Sequence, residues 1–185
     1  YGKTTILGEE YDIFCEKGAY DTQLQRGNFQ KNAVIFYDNK EIRGDSLYFE
    51  NEKNYAAATN NVSVIDTLNK SIINGHYGEI FKAKDSAIIT RRALAINIID
   101  QDSLYIHADT LIATGPTEKK ILRGYYDVRI FKTDLRGKSD SLHLDQNTGL
   151  IKLLKLPLSR KENQILSTSQ KNKKNPILWF GKSQM

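Results

Sequence analysis

The stretch Gly44-Asp45-Ser46-Leu47-Tyr48-Phe49-Glu50 decides the fold class of this chain. Leu47 and Phe49 alternate with Tyr48 and Glu50, and a period of two places apolar and polar side chains on opposite faces of a half-buried strand. The alternation recurs at Leu104-Tyr105-Ile106-His107 and Leu142-His143-Leu144-Asp145, whereas helical periodicity is nearly absent. The sequence therefore predicts an all-β protein.

Two short signatures alternate along the chain, which indicates repeated strand-turn-strand units. One is the triplet Asp-Ser-Leu, found at Asp45-Ser46-Leu47, Asp102-Ser103-Leu104 and Asp140-Ser141-Leu142. The other is a glycine two residues before an aromatic residue, found at Gly27/Phe29, Gly75/Tyr77 and Gly124/Tyr126. The composition gives about 0.08 triplets by chance, so three copies indicate a true repeat. We expect the aspartate and serine to hold the turn that precedes each strand, and the glycine to mark a bulge or bend.

Turn-forming residues separate the apolar runs at short intervals. They occur at Asp38-Asn39, Asn60-Asn61, Gly115-Pro116, Arg136-Gly137 and Asn147-Thr148-Gly149. Short strands at this spacing favour a sandwich, a jelly roll or an open barrel with mainly antiparallel neighbours. A function spread along a surface or groove is more typical of such repeats than a single catalytic point.

Length and composition fit one domain spanning 1–185. Because the first residue is Tyr1, we expect this piece to be a fragment of a longer chain. The longest nearly apolar stretch, Ala93 to Ile99, is far shorter than the ~20 residues of a membrane-spanning helix. Cys15 is the single cysteine, so it cannot form an internal disulfide.

The net charge of +5 is concentrated near the end of the chain. Seven lysines and arginines, against one acid, lie between Lys152 and Asn175, so the rest of the chain is nearly neutral. The polar stretch 159–175 is predicted to be a basic loop, either simply solvated or in contact with anions.

No catalytic residue and no metal ligand is predicted. His76, His107 and His143 stand apart in the sequence, without metal-ligand spacing. Ser141, His143 and Asp145 would line up along one strand face about 7 Å apart, too far for a hydrogen-bonded triad. We therefore expect no enzyme activity and no cofactor, and the separation of tyrosines from the basic stretch argues against nucleic-acid binding.

The ordered recurrence resembles the repeat of the OstA-like, LptA-like proteins. The matching stretches are Gly44–Glu50 with Tyr55–Val64, Asp102–Asp109 with Ile112–Gly115, and Asp140–Gly149. The resemblance covers roughly residues 20 to 158. The residues of the repeat, with Asp-Ser-Leu and tyrosine, are similar to the versions found in Bacteroidetes-type bacteria. It implies an open, mainly antiparallel β jelly roll, a folded-over sheet or "β-taco".

The resemblance also implies a function. Such domains shelter the acyl chains of lipopolysaccharide (lipid A) in an apolar β-groove in the periplasm of Gram-negative bacteria, and association with the outer membrane is left open. They stack through edge strands with other Lpt-type envelope proteins, and a head-to-tail homo-oligomer is a further option. By alternation, the predicted groove-lining residues are Leu47, Phe49, Leu94, Ile96, Leu104, Ile106, Leu142 and Leu144.

Two alternatives stay open at the level of the sequence. The same residues fit an ordinary closed core, and the β-stack could serve as a structural or assembly module of the cell envelope that carries no lipid. If lipid is carried, Lys171, Lys173 and Lys174 are candidates for contact with head-group anions.

Overall fold

A computed structural model describes residues 3–99, 102–116 and 119–155, and these ranges contain twelve β-strands. The strands are β1 (Thr4–Leu7), β2 (Asp12–Cys15), β3 (Lys17–Asp21), β4 (Arg26–Tyr37), β5 (Lys40–Glu50), β6 (Tyr55–Asp66), β7 (Ser71–Phe81), β8 (Ser86–Ile99), β9 (Asp102–Thr114), β10 (Ile121–Lys132), β11 (Leu135–Asp145) and β12 (Leu150–Leu154). A 3-10 turn lies at Lys82–Lys84, between β7 and β8.

All twelve strands belong to one antiparallel sheet, and from β4 to β12 each strand pairs with the next one in sequence. The order is β1-β2-β4-β5-β6-β7-β8-β9-β10-β11-β12, and β3 also pairs with β4. The two ends of this order do not pair with each other, so the sheet is open. The prediction of an open, antiparallel all-β fold is confirmed.

A row of β-bulges crosses the sheet near the middle of its long strands. Four strands each carry two consecutive residues with positive φ, namely Lys31-Asn32, Asn60-Asn61, Arg91-Arg92 and Tyr126-Asp127. Each pair lies opposite a single residue of the next strand, respectively Asp45, His76, Asp109 and Asp140. Two residues opposite one define a bulge, which bends the strand and increases its twist. Because the bulges are aligned, they bend the whole sheet along one line, which we name the crease.

The crease divides the sheet into two wings that face each other. Wing A comprises β1, β2 and the segments 33–44, 62–75, 93–99, 102–108 and 128–139. Wing B comprises β3 and the segments 26–30, 46–59, 77–90, 110–116, 119–125 and 141–154. Contacts join the two inner faces: a Cβ placed on Gly137 of wing A would lie 3.3 Å from Leu153 of wing B. The apolar core therefore lies between two halves of a single sheet.

The crease revises the interpretation of the Asp-Ser-Leu repeat. Asp45 and Asp140 do not precede strands but lie at the crease inside β5 and β11, and Asn61 donates hydrogen bonds of 3.0 and 3.1 Å to Asp45. Asp102 begins β9, and its carboxylate accepts a hydrogen bond from the Ser103 backbone N–H. The crease residue of β9 is Asp109, so Asp109-Thr110-Leu111 is the structural equivalent of the other two triplets.

Two turn predictions are also wrong. Asn60-Asn61 lies inside β6, where it forms the crease bulge, and Gly137 lies inside β11. Asparagine tolerates positive φ in turns and in bulges alike, so the residue type could not separate the two.

The predicted inward orientation of Leu94 and Ile96 is wrong. Ala95 pairs with the buried Ile106, and residues paired across a sheet share a face, so the inner face of β8 carries Ala93, Ala95 and Asn97. Leu94 and Ile96 are half-buried on the outer face of wing A, where Ile96 pairs with Tyr105.

Candidate ligand site between the wings

An apolar cavity opens at the rims, on the side of the wings away from the crease. It has a volume of about 380 Å³, including space open to solvent. Its walls are Tyr11, Ile35, Tyr37, Ile42, Phe49, Asn51, Asn54, Tyr55, Ala56, Ile80 and Lys82. A mostly apolar lining with a few polar groups is typical of small-ligand pockets.

A second, more polar cavity lies beside the first. Its volume is about 630 Å³, again including solvent-open space. It is lined by Tyr37, Lys40, Val64, Asp66, Ser71, Ile73, Ile80, Asp85, Ser86, Ala87, Ala113, Gly115, Lys120 and Gln146. Tyr37 of wing A and Ile80 of wing B line both cavities, so the two adjoin and form a slot between the rims.

An ion pair joins the rims across the polar cavity. Nζ of Lys120 on wing B lies 2.6 Å from Oδ2 of Asp66 on wing A, and their side chains are only 12% and 7% exposed. The backbone N–H and the side-chain amide of Asn69 also donate to this carboxylate, at 2.9 and 2.7 Å. Burial alone would raise the pKa of Asp66, but the donors from Lys120 and Asn69 hold it below its ordinary value.

Side chains from the β1–β2 turn join the wings at the apolar cavity. The ring of Tyr11 packs 4.5 Å from that of Phe49 on wing B, and its hydroxyl hydrogen-bonds with Tyr20 of β3 at 3.2 Å. Burial and the Tyr20 contact raise the pKa of Tyr11 to about 12, so it is protonated near neutrality. Glu10 accepts a hydrogen bond of 2.5 Å from Lys82.

Backbone hydrogen bonds do not join the wings. Strand pairing connects neighbours within each wing, and the turns add bonds within one rim, such as Thr67 N–H to Asn39 O and Gln146 N–H to Lys120 O. Among the described residues, no backbone hydrogen bond links wing A to wing B beyond the crease. The wings are thus held together by the crease and by side-chain contacts.

The predicted groove-lining residues are partly brought together here. Leu47, Phe49, Leu104, Ile106, Leu142 and Leu144 are buried in the core between the wings. Phe49, 8% exposed, also lines the apolar cavity. Leu94 and Ile96 lie on the outer face, and Lys171, Lys173 and Lys174, with the whole basic stretch 159–175, are outside the described residues.

The polar residues at the rims escaped sequence reasoning. Asp66 and Lys120 are 54 positions apart, and neither belongs to a motif that signals an ion pair. Tyr37 and Lys40 flank the predicted Asp38-Asn39 turn, but that pattern alone indicates only a hairpin.

Metal and membrane features are limited in the described part of the chain. There, no three His, Cys, Asp or Glu side chains are grouped to hold a metal ion. The same residues include no helix that is long and apolar enough to span a membrane. Cys15 is a buried free thiol whose pKa is raised by burial.

Comparison with known proteins identifies the fold. No protein-family model matches the chain, and no curated protein sequence matches it. Among solved structures, it is similar to LptH, described as the LptA homologous periplasmic component of the conserved lipopolysaccharide transport device from Pseudomonas aeruginosa. The two share 12% sequence identity with a TM-score of 0.56, over 68% of this chain and 88% of LptH. At this identity the likeness concerns the fold: the chain has the folded-over antiparallel sheet of the LptA-like protein LptH.

Proposed function

We propose that this chain is a non-enzymatic, periplasmic lipopolysaccharide-binding bridge or carrier domain of a Gram-negative bacterium. The acyl chains of lipid A would lie between the wings during transport towards the outer membrane. The similarity to LptH supports this proposal. The residue pattern of the repeat, which favours a Bacteroidetes-type source, supports it as well. The unit would span 1–185, including the part outside the described residues.

The observation that carries the proposal is the way the wings are joined. Covering an acyl chain of ~12 methylenes saves about 10 kcal/mol of apolar exposure to water. Because only side-chain contacts close the rims, the wings can part without breaking the strand pairing within either wing. The sheet thus offers an apolar interior that a chain can enter from the side.

Photo-crosslinking tests this function. A photoreactive residue at Phe49 or Leu104, both buried between the wings, should label lipopolysaccharide. The matched controls are Tyr48 and Tyr105, the next residues on the same strands, which face outward. Labelling of protein alone from Phe49 and Leu104, or equal lipid labelling from the controls, would contradict the carrier function.

The open ends of the sheet favour assembly as a second candidate function, with or without lipid. In the described residues β1 pairs only with β2, and β12 only with β11. Free strand edges can pair with another chain, so related envelope proteins or a head-to-tail second copy could add there. Leu7 and Leu154, 72% and 52% exposed, mark the two edges. Cysteines at these two positions should crosslink copies to each other if the homo-oligomer forms, and monomers after oxidation would exclude it.

A further inference from the structure

Lys40 is a half-buried cation that faces the polar cavity without a carboxylate partner. It lines this cavity, and its Nζ lies 5.2 Å from the centre of the Tyr37 ring. None of the ion pairs among the described residues includes Lys40. A partly desolvated ammonium gains more from an anion than one in open water.

The acids that line the same cavity do not satisfy Lys40. Asp66 is paired with Lys120 at 2.6 Å and accepts two further hydrogen bonds from Asn69. Asp85 is exposed, so its carboxylate keeps its contact with water. Lys40 is therefore the half-buried charged group of this cavity that lacks an ion-pair partner.

We propose that the polar cavity binds the head group of an anionic amphiphile whose alkyl chain lies in the adjoining apolar cavity. Lys40 contacts the anionic group. The inference rests on the proposed lipid-carrying function and deepens it, because it assigns head-group recognition to the rims. Tyr37 and Ile80, which line both cavities, mark the point where the head meets the chain.

The test uses the full chain loaded with the neutral dye N-phenyl-1-naphthylamine, displaced by dodecyl phosphate or by dodecanol. Replacement of Lys40 by methionine should weaken dodecyl phosphate binding about ten- to a hundredfold, the scale of one charge-assisted hydrogen bond, and leave dodecanol unchanged. Lys17→Met, at an exposed lysine of β3, is the matched control and should alter neither. A large excess of inorganic phosphate should not displace dodecyl phosphate.

The outcomes separate the two proposals. Equal binding of dodecyl phosphate to Lys40→Met and the unaltered chain would overturn the head-group site while the carrier function stands. Displacement by inorganic phosphate would instead assign the site to a free anion and overturn the amphiphile. Binding of neither dodecyl compound would contradict the carrier function itself.

Discussion

The ion pair between Asp66 and Lys120 should stabilise the closed arrangement of the wings, and a double-mutant cycle measures by how much. The variants are Lys120→Met, Asp66→Asn and the two combined. Lys120→Met keeps the length of the side chain and removes its charge. The Asp66 carboxylate, which is 7% exposed, accepts one hydrogen bond from Lys120 and two from Asn69 in the unaltered chain. In Lys120→Met only the two from Asn69 remain.

The expected loss of stability follows from the two hydrogen bonds that Asp66 keeps. Removing one partner of a fully buried pair costs 3–5 kcal/mol, but Asp66 keeps two hydrogen bonds, so about 2 kcal/mol is expected for Lys120→Met. For Asp66→Asn we expect about 1 kcal/mol, because Lys120 lies at the rim and can turn towards water. The double variant has no uncompensated charge and should lose about 1.5 kcal/mol, which is less than the sum of the singles.

Urea unfolding followed by circular dichroism at neutral pH measures these free energies. The matched control is Lys53→Met, which removes the ion pair of a 70% exposed lysine with Glu50 inside wing B and should cost clearly less than Lys120→Met. The reasoning would be refuted if the single losses added within about 0.3 kcal/mol, or if Lys120→Met cost no more than Lys53→Met.

Three further predictions concern the same framework. The pKa of Asp66 lies below its ordinary value of 3.8, so the stabilisation from its ionised form is complete above pH 3.8 and is lost as the pH falls through the folded-state pKa. The free energy of unfolding should therefore fall less steeply with decreasing pH in Asp66→Asn than in the unaltered chain, and parallel curves would contradict this. A Cβ on Gly78 would lie 2.7 Å from Cδ1 of Ile89, so Gly78→Ala should cost about 1–3 kcal/mol by urea unfolding. Ile89→Val removes that atom and should recover part of the loss, whereas strict additivity would exclude the proposed clash. Asn61 has a φ of +49°, so Asn61→Ala should destabilise by about 1–2 kcal/mol and Asn61→Gly by clearly less; equal losses would show that backbone strain is not the cause.

The fold class and most of the core could be predicted from the sequence. In β5, β9 and β11 the large apolar residues lie on one face and polar ones on the other, so alternation alone identified Leu47, Ile106 and Leu144 as buried. The antiparallel arrangement followed from strands that succeed each other through short turns, whereas the open, folded-over form was implied by the resemblance to the LptA-like repeat.

The orientation of β8 could not be predicted because both of its faces are apolar. Choosing the larger residues as inner ones failed, since Ala93 and Ala95 face the core and Leu94 and Ile96 face outward. Close to the crease the wings converge, and small side chains fit the narrow space. The hydrophobic pattern of a strand identifies its inner face only when the opposite face is polar.

The two cavities and the ion pair at the rims could not be predicted from the sequence, because their positions depend on how the sheet bends. The crease is made by residue pairs of several types, among them Arg91-Arg92 and Tyr126-Asp127, which carry no recognisable turn signal. Without the position of the bend, nothing in the sequence brings Asp66 near Lys120 or Lys40 near Gln146. Because the bulges are aligned, the local bend in each strand brings together residues that lie far apart in the sequence.

The same geometry determines where the wings can part most easily. Near the crease the inner faces are tightly packed, since a Cβ on Gly75 would lie 2.5 Å from Cγ2 of Ile89. At the rims the wings leave two cavities, closed by single side-chain contacts such as Asp66 with Lys120 and Tyr11 with Phe49. Opening therefore costs least at the rims and most at the crease, where the backbone itself joins the wings. An alkyl chain would enter sideways through the slot, and its polar head would stay at the rims, where Lys40 lies.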